Sequence, residues 1–146
     1  MALTRANVEY LLLRRVGSLF SEVGLNGATS NNSDLDDPMG YAIRKSGGSV
    51  ADATAVADAD VTTVAEADVD QMLDLAELRA LETARTAARR LVTTSLGPRR
   101  EQLSDIAEGL EKDIAAKRAD IMAQYGIVGS TIEGGVVSLR FAETNS

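Results

Sequence analysis

Hydrophobic positions divide the chain into helical stripes separated by polar joints. In "TRANVEYLLLRRVGSLFSEVG", Val8, Leu12, Val16, Leu19, Phe20 and Val23 recur at the spacing of one helix face. Thr4 stands where an N-cap belongs and Gly24 where the chain must leave the helix, so the pattern predicts an N-terminal helix between them. The following "LNGATSNNSDLDD" is loop by composition. In "DPMGYAIRKSGG", Asp37 is placed to cap, Pro38 to open and Gly47 to end a short helix over about 38–46.

Two longer stripes follow. Over 69–91, Leu73, Ala76, Ala80, Ala84, Ala87 and Leu91 share a face that Leu78 and Leu81 widen. So many alanines let a second helix approach closely. From Pro98 to Tyr125, with Gly126 as the stop, the stripe is Leu103, Ile106, Ala107, Leu110, Ile114 and Ile121. Glu108 with Lys112 and Asp113 with Lys117 are acid-first pairs one turn apart on that helix. At 1.5 Å per residue each helix spans roughly 35–40 Å, and a joint of about six residues predicts an antiparallel hairpin. Upstream, "AVADADV" at 55–61 is echoed by "TVAEADV" at 63–69, too few copies for a solenoid. The echo is read instead as Asp60 and Asp68 each starting a helical turn, with Gln71 completing a capping box for Asp68.

Beyond Gly126 the helical period is lost. Val137, Leu139 and Phe141 alternate with Val136, Ser138 and Arg140, a strand pattern that Gly134-Gly135 can fold back on itself. A lone two-stranded ribbon is marginal in water, so this segment is expected to complete itself on its own helices or on a partner's sheet edge. The expected fold is all-α: an antiparallel helical bundle with two long helices in a hairpin, one N-terminal helix and a short helix. Residues 1–126 form the helical domain, with a low-complexity acidic loop at 48–66, and residues 127–146 an extended β-like tail.

Composition narrows the function. Apolar residues are 45% of the 146 and aromatics 3%, so the core is built from Leu, Ile, Val and Ala. Small side chains bury little area at roughly 25 cal/mol per Å², and burial against neighbouring subunits is expected to add to it. Cysteine and histidine are both absent, which removes thiol nucleophiles, imidazole bases and the usual zinc ligands. Carboxylate chemistry on a sugar needs an aromatic-rich cleft, and two Phe with three Tyr do not furnish one. No enzyme activity, cofactor or metal is expected. Leu11-Leu12-Leu13 is followed at once by Arg14 and Arg15, so neither a membrane span nor a leader is expected there.

The net charge of −7 is local: residues 34–74 carry ten acids and two bases, while 75–146 balance at ten each. Asp52, Asp58, Asp60 and Glu66 lie in the acidic part and are candidates for a surface facing a channel or a neighbouring subunit. Such a surface repels nucleic acid. The calcium-loop pattern is missing from it. Four of the 15 basic residues, Arg89, Arg90, Arg99 and Arg100, gather around one Gly-Pro joint. The first pair ends a helix, where positive charge is favoured; the second pair begins one, where it is not. Those arginines are expected either to be solvated or to pair within the subunit, or to meet an acidic surface of a neighbour or partner; phosphate binding is the least expected role, since no aromatic or Gly-rich cradle accompanies them. With Val137, Leu139 and Phe141 they form the candidate interface.

The order of "LTRANVEYLLLRRVGSLFSEVGLNG", "DLDDPMGYAIRKSG", "ADVDQMLDLAELRALE" and "GPRREQLSDIAEGLEKDIAAKRADIMAQYG" resembles that of the head–tail connector, or adaptor, proteins of tailed bacteriophages. The resemblance covers about residues 3–126 and leaves out the repetitive 48–66 stretch and the tail. It implies an all-α subunit made in the host cytoplasm and incorporated at the virion neck. There, twelve copies typically form a ring that binds the portal protein and a tail or neck completion protein. DNA passes through such a ring without specific binding, and no membrane is involved. The competing expectation is a small helical protein-binding or regulatory module that acts as a monomer or dimer.

Overall fold

Thr4 opens the first helix, α1 (Arg5–Glu22), by accepting from the Asn7 N–H while the Asn7 side chain accepts from the Thr4 N–H. Two otherwise orphaned donors are satisfied in that exchange. This computed structural model describes residues 3–29 and 31–126, five helices and two 3₁₀ turns. At the far end of α1, Gly24 takes φ +81° and the Leu25 N–H returns to the Phe20 carbonyl at 2.8 Å. The short helix α2 (Asp36–Lys45) ends in the same motif, with Gly47 at φ +88° and Gly48 bonded to Ile43 at 2.9 Å.

Three local expectations are corrected. A 3₁₀ turn at Ser33–Leu35 runs straight into α2, so Asp37 lies inside the first turn and reaches Arg79 at 2.9 Å instead of capping. In the one-turn helix α3 (Asp58–Val61), the N-cap position is Ala57, and Asp60 folds back to accept the Ala57 N–H at 2.9 Å. Asp68 makes no side-chain cap, because the 3₁₀ turn Glu66–Asp68 already leads into α4 (Val69–Thr94). In both 3₁₀ cases the preceding turn supplies the helix entry that a carboxylate was expected to provide.

The long helices follow the predicted stripes closely. α4 runs past Leu91 to Thr94, which shortens the joint to residues 95–97; Gly97 at φ +66° turns the chain and Pro98 opens α5 (Pro98–Tyr125). Helix α4 packs against α1, α2 and α5, and Met72, Leu75, Ala76, Leu78, Ala80, Ala84 and Ala88 are all buried. Full burial of a Met or Leu contributes about 1.5–3 kcal/mol, so this helix is the axis of the fold. Helix α5 buries one narrow stripe, Leu103, Ala107, Leu110, Ile114 and Ile121, while Leu19, Ala87, Ile106 and Leu91 are only partly covered.

The hairpin is antiparallel. Arg89 is bonded to Glu111, Glu82 to Arg118 at 2.7 Å and Asp74 to Tyr125 at 2.6 Å, so stepping back along α4 means stepping forward along α5 by about two turns each time. Neither acid-first pair on α5 forms. Lys117 turns across the seam to Asp74 at 3.1 Å and Glu77 at 3.2 Å, where two carboxylates on a half-buried surface outcompete a single exposed one.

Candidate assembly surfaces

The four arginines of the hairpin end fall into three kinds of surroundings. Arg89 pairs with Glu111, which also lies 3.7 Å from the buried Arg85. Arg99 donates from Nη2 to the Glu22 carbonyl at the end of α1, 2.9 Å away, and from Nη1 to Gln102 at 3.4 Å. Its partner is therefore a helix terminus of the same subunit, whose negative dipole end compensates for Arg99 standing at the positive end of α5. Arg90 and Arg100 are exposed and form no ion pair among the described residues. Between them Leu96, on the joint itself, is 85% exposed.

The acidic candidates do not share one surface. Asp60 is buried and accepts from the Ala51 and Ala57 N–H groups, so it cannot line a channel; the open turn before α3 needs an acceptor, and Asp60 supplies it. Asp58 accepts from the Arg5 N–H at 2.7 Å, a second cap on α1. Asp52 is exposed but bonded to the Thr54 hydroxyl and N–H, and those bonds hold its carboxyl below the usual range. Glu66 is exposed on its 3₁₀ turn. Val137, Leu139 and Phe141 lie outside the described residues.

Two buried polar clusters were not anticipated. Arg5 joins Glu9 at 2.5 Å, Asp36 at 2.8 Å and the Asn32 carbonyl at 2.9 Å, and Glu9 accepts in turn from the Asn32 N–H at 2.8 Å. Asp36 also receives the Val56 N–H at 3.2 Å, so the cluster ties the start of α1 to both loops. A base and an acid at i, i+4 on the same face as Val8 and Leu12 was the available signal. The second cluster lies in the hairpin seam. Glu82 is 2% exposed and bonded to Arg118 through one oxygen, while its Oε1 has no hydrogen-bond partner among the described residues. At the open end of the seam, burial pushes the Asp74 carboxyl up, but the Tyr125 hydroxyl, Lys117 and Arg15 together outweigh it and leave the group below 3.8. Burial and the same hydrogen bond push the Tyr125 phenol up to about 12.

Depressions among the described residues include two beside α4. A groove of about 470 Å³ runs between α1, α4 and α5, with Val16, Leu19, Leu81 and Leu110 on its floor and Asp113 and Asp120 on its α5 wall. A smaller one of about 220 Å³ lies beside α2 and is bordered by Asp37, Arg79, Glu82 and Arg90. Among the described residues no group of carboxylates is arranged to hold a metal ion, and no helix is long and apolar enough to cross a membrane. Comparison of the chain with protein-family models, with curated proteins and with solved structures gives no match.

Proposed function

We propose that the protein is a structural subunit of the phage neck, forming a ring that joins the portal of the filled head to the tail or the next neck protein and continues the DNA channel. The observation that carries this reading is the one-sided packing of α5. The helix meets the rest of the chain along a single stripe and leaves Gly109, Ala115, Ala116, Ala119 and Ala123 exposed. Gly109 is the telling position. A glycine inside a helix costs about 1 kcal/mol relative to alanine, yet a Cβ built there would meet nothing within 4 Å among the described residues. No described residue of the subunit requires the missing side chain, whereas a neighbouring backbone would.

Ring closure requires one face of a subunit to meet a different face of the next. The exposed small-residue side of α5 and the basic end of the hairpin are two such different faces. The ordered helices and joints that resemble connector proteins support the same reading, and the role is one of contact, with no reaction to catalyse. Imaging of the purified chain, alone and with a portal protein, tests it. Closed rings of about twelve copies are expected on the portal; a dimer that never forms rings in either condition would overturn the reading in favour of a regulatory module.

A further inference from the structure

The hairpin end and the long groove are complementary to one another. The end presents an exposed leucine, Leu96, six residues after Arg90 and four before Arg100, and neither arginine has an acidic partner among the described residues. The groove presents an apolar floor and two carboxylates, Asp113 and Asp120, that have no basic partner among the described residues. Arg15 and Lys117 also border it, but both are held by Asp74 and Glu77 on the α4 side, so the charges left to meet a visitor are negative. The hairpin end cannot fold into its own groove: Leu110 to Asp120 lie roughly 18–33 Å along the straight α5 from Pro98 at 1.5 Å per residue.

We propose that the groove is the seat for a second copy of this chain, whose Leu96 enters between α1 and α5 while its Arg90 and Arg100 pair with Asp113 and Asp120. This rests on the ring reading above and gives it a residue-level contact. Because the end and the groove are different surfaces of one molecule, the contact repeats from subunit to subunit instead of stopping at a dimer. A groove of about 470 Å³ has room for a leucine side chain together with the aliphatic stems of the arginines, which bury while their guanidinium groups stay at the rim.

The test uses two variants of the full chain, each altered on one surface only: Leu96→Asn with Arg100→Gln, and Asp113→Lys with Asp120→Lys. All four positions are exposed, so both variants keep the wild-type circular dichroism. Sedimentation velocity should show wild-type chains associating as concentration rises, and each variant alone associating at least about tenfold more weakly. Mixed together, they should form a 1:1 dimer that grows no further, since one intact groove and one intact hairpin end remain. A wild-type chain that stays monomeric throughout, variants that associate like wild type, or a mixture that gives no dimer would each overturn the contact. Rings that persist in the hairpin-end variant would refute this contact and leave the ring standing; open chains that never close would do the reverse.

Discussion

Arg99 near the start of α5 donates to the carbonyl oxygen of Glu22, the last residue of α1, at 2.9 Å and across 77 positions of sequence. A cation in the first turn of a helix is disfavoured by that helix, but here it sits against the negative end of another. The bond is exposed, so its contribution is modest. Arg99→Ala is expected to lower stability by about 0.5–1 kcal/mol in urea unfolding, while Arg100→Ala changes it by less than about 0.5 kcal/mol. Equal losses from the two substitutions would mean that the Glu22 contact contributes nothing.

Arg5 behaves differently because it is buried. Its guanidinium is the shared partner of Glu9 and Asp36, and Arg5→Ala strands both carboxylates. Removing one member of a buried ion cluster costs about 3–5 kcal/mol, a large part of the 5–15 kcal/mol that holds an ordinary domain. Calorimetry should show Arg5→Ala close to unfolded at ambient temperature, and a melting point within a few degrees of wild type would refute the assigned role.

The contrast between these two arginines marks what was legible in the sequence. Where a signal is local, it was read correctly: Thr4, Gly24, Gly47, Pro98 and Gly126 stand at or beside the ends of their helices, and the apolar stripes of α1, α4 and α5 are buried except at Leu19, Ala87, Leu91 and Ile106, which are partly covered. Aspartates misled for the opposite reason. Asp37, Asp60 and Asp68 each look like a cap from their immediate neighbours. What they do depends on Arg79, on the turns around α3 and on a 3₁₀ turn, none of which periodicity reveals. The Arg99 contact was out of reach for the same cause, since it exists only once α1 and α5 are docked. Of the candidate interface, the hairpin end was legible as a charge anomaly. The groove it complements was not, because three separate helices build it.

Tyr125 and Asp74 make stability depend on pH at both extremes. Tyr125 is pushed up to about 12 from 10.0, so its contribution is complete below pH 10 and is lost as the pH rises through 12. Asp74 is lowered, so its contribution is complete above the ordinary carboxylate pKa and is lost as the pH falls through the lowered value. Phenolate absorbance should therefore show a late alkaline step that is missing in Tyr125→Phe and moved back toward 10 in Asp74→Asn. An alkaline titration that neither substitution changes would contradict the pairing.

Gly109 separates the needs of the subunit from those of the assembly. Within the subunit the position is open, so Gly109→Ala relieves the cost of a helical glycine and should raise stability by about 1 kcal/mol. Gly109→Leu should also leave the melting temperature no lower than wild type, because no described residue of the chain stands within 4 Å of the new Cβ. If another subunit or a portal packs against that face of α5, the leucine holds the two backbones apart, and assembly fails while the fold survives. A subunit gains nothing from a residue that only weakens its longest helix. A Gly109→Leu chain that is stable and also assembles normally would show that this face of α5 stays in solvent, and the neighbour would then have to be sought at the groove and the hairpin end alone.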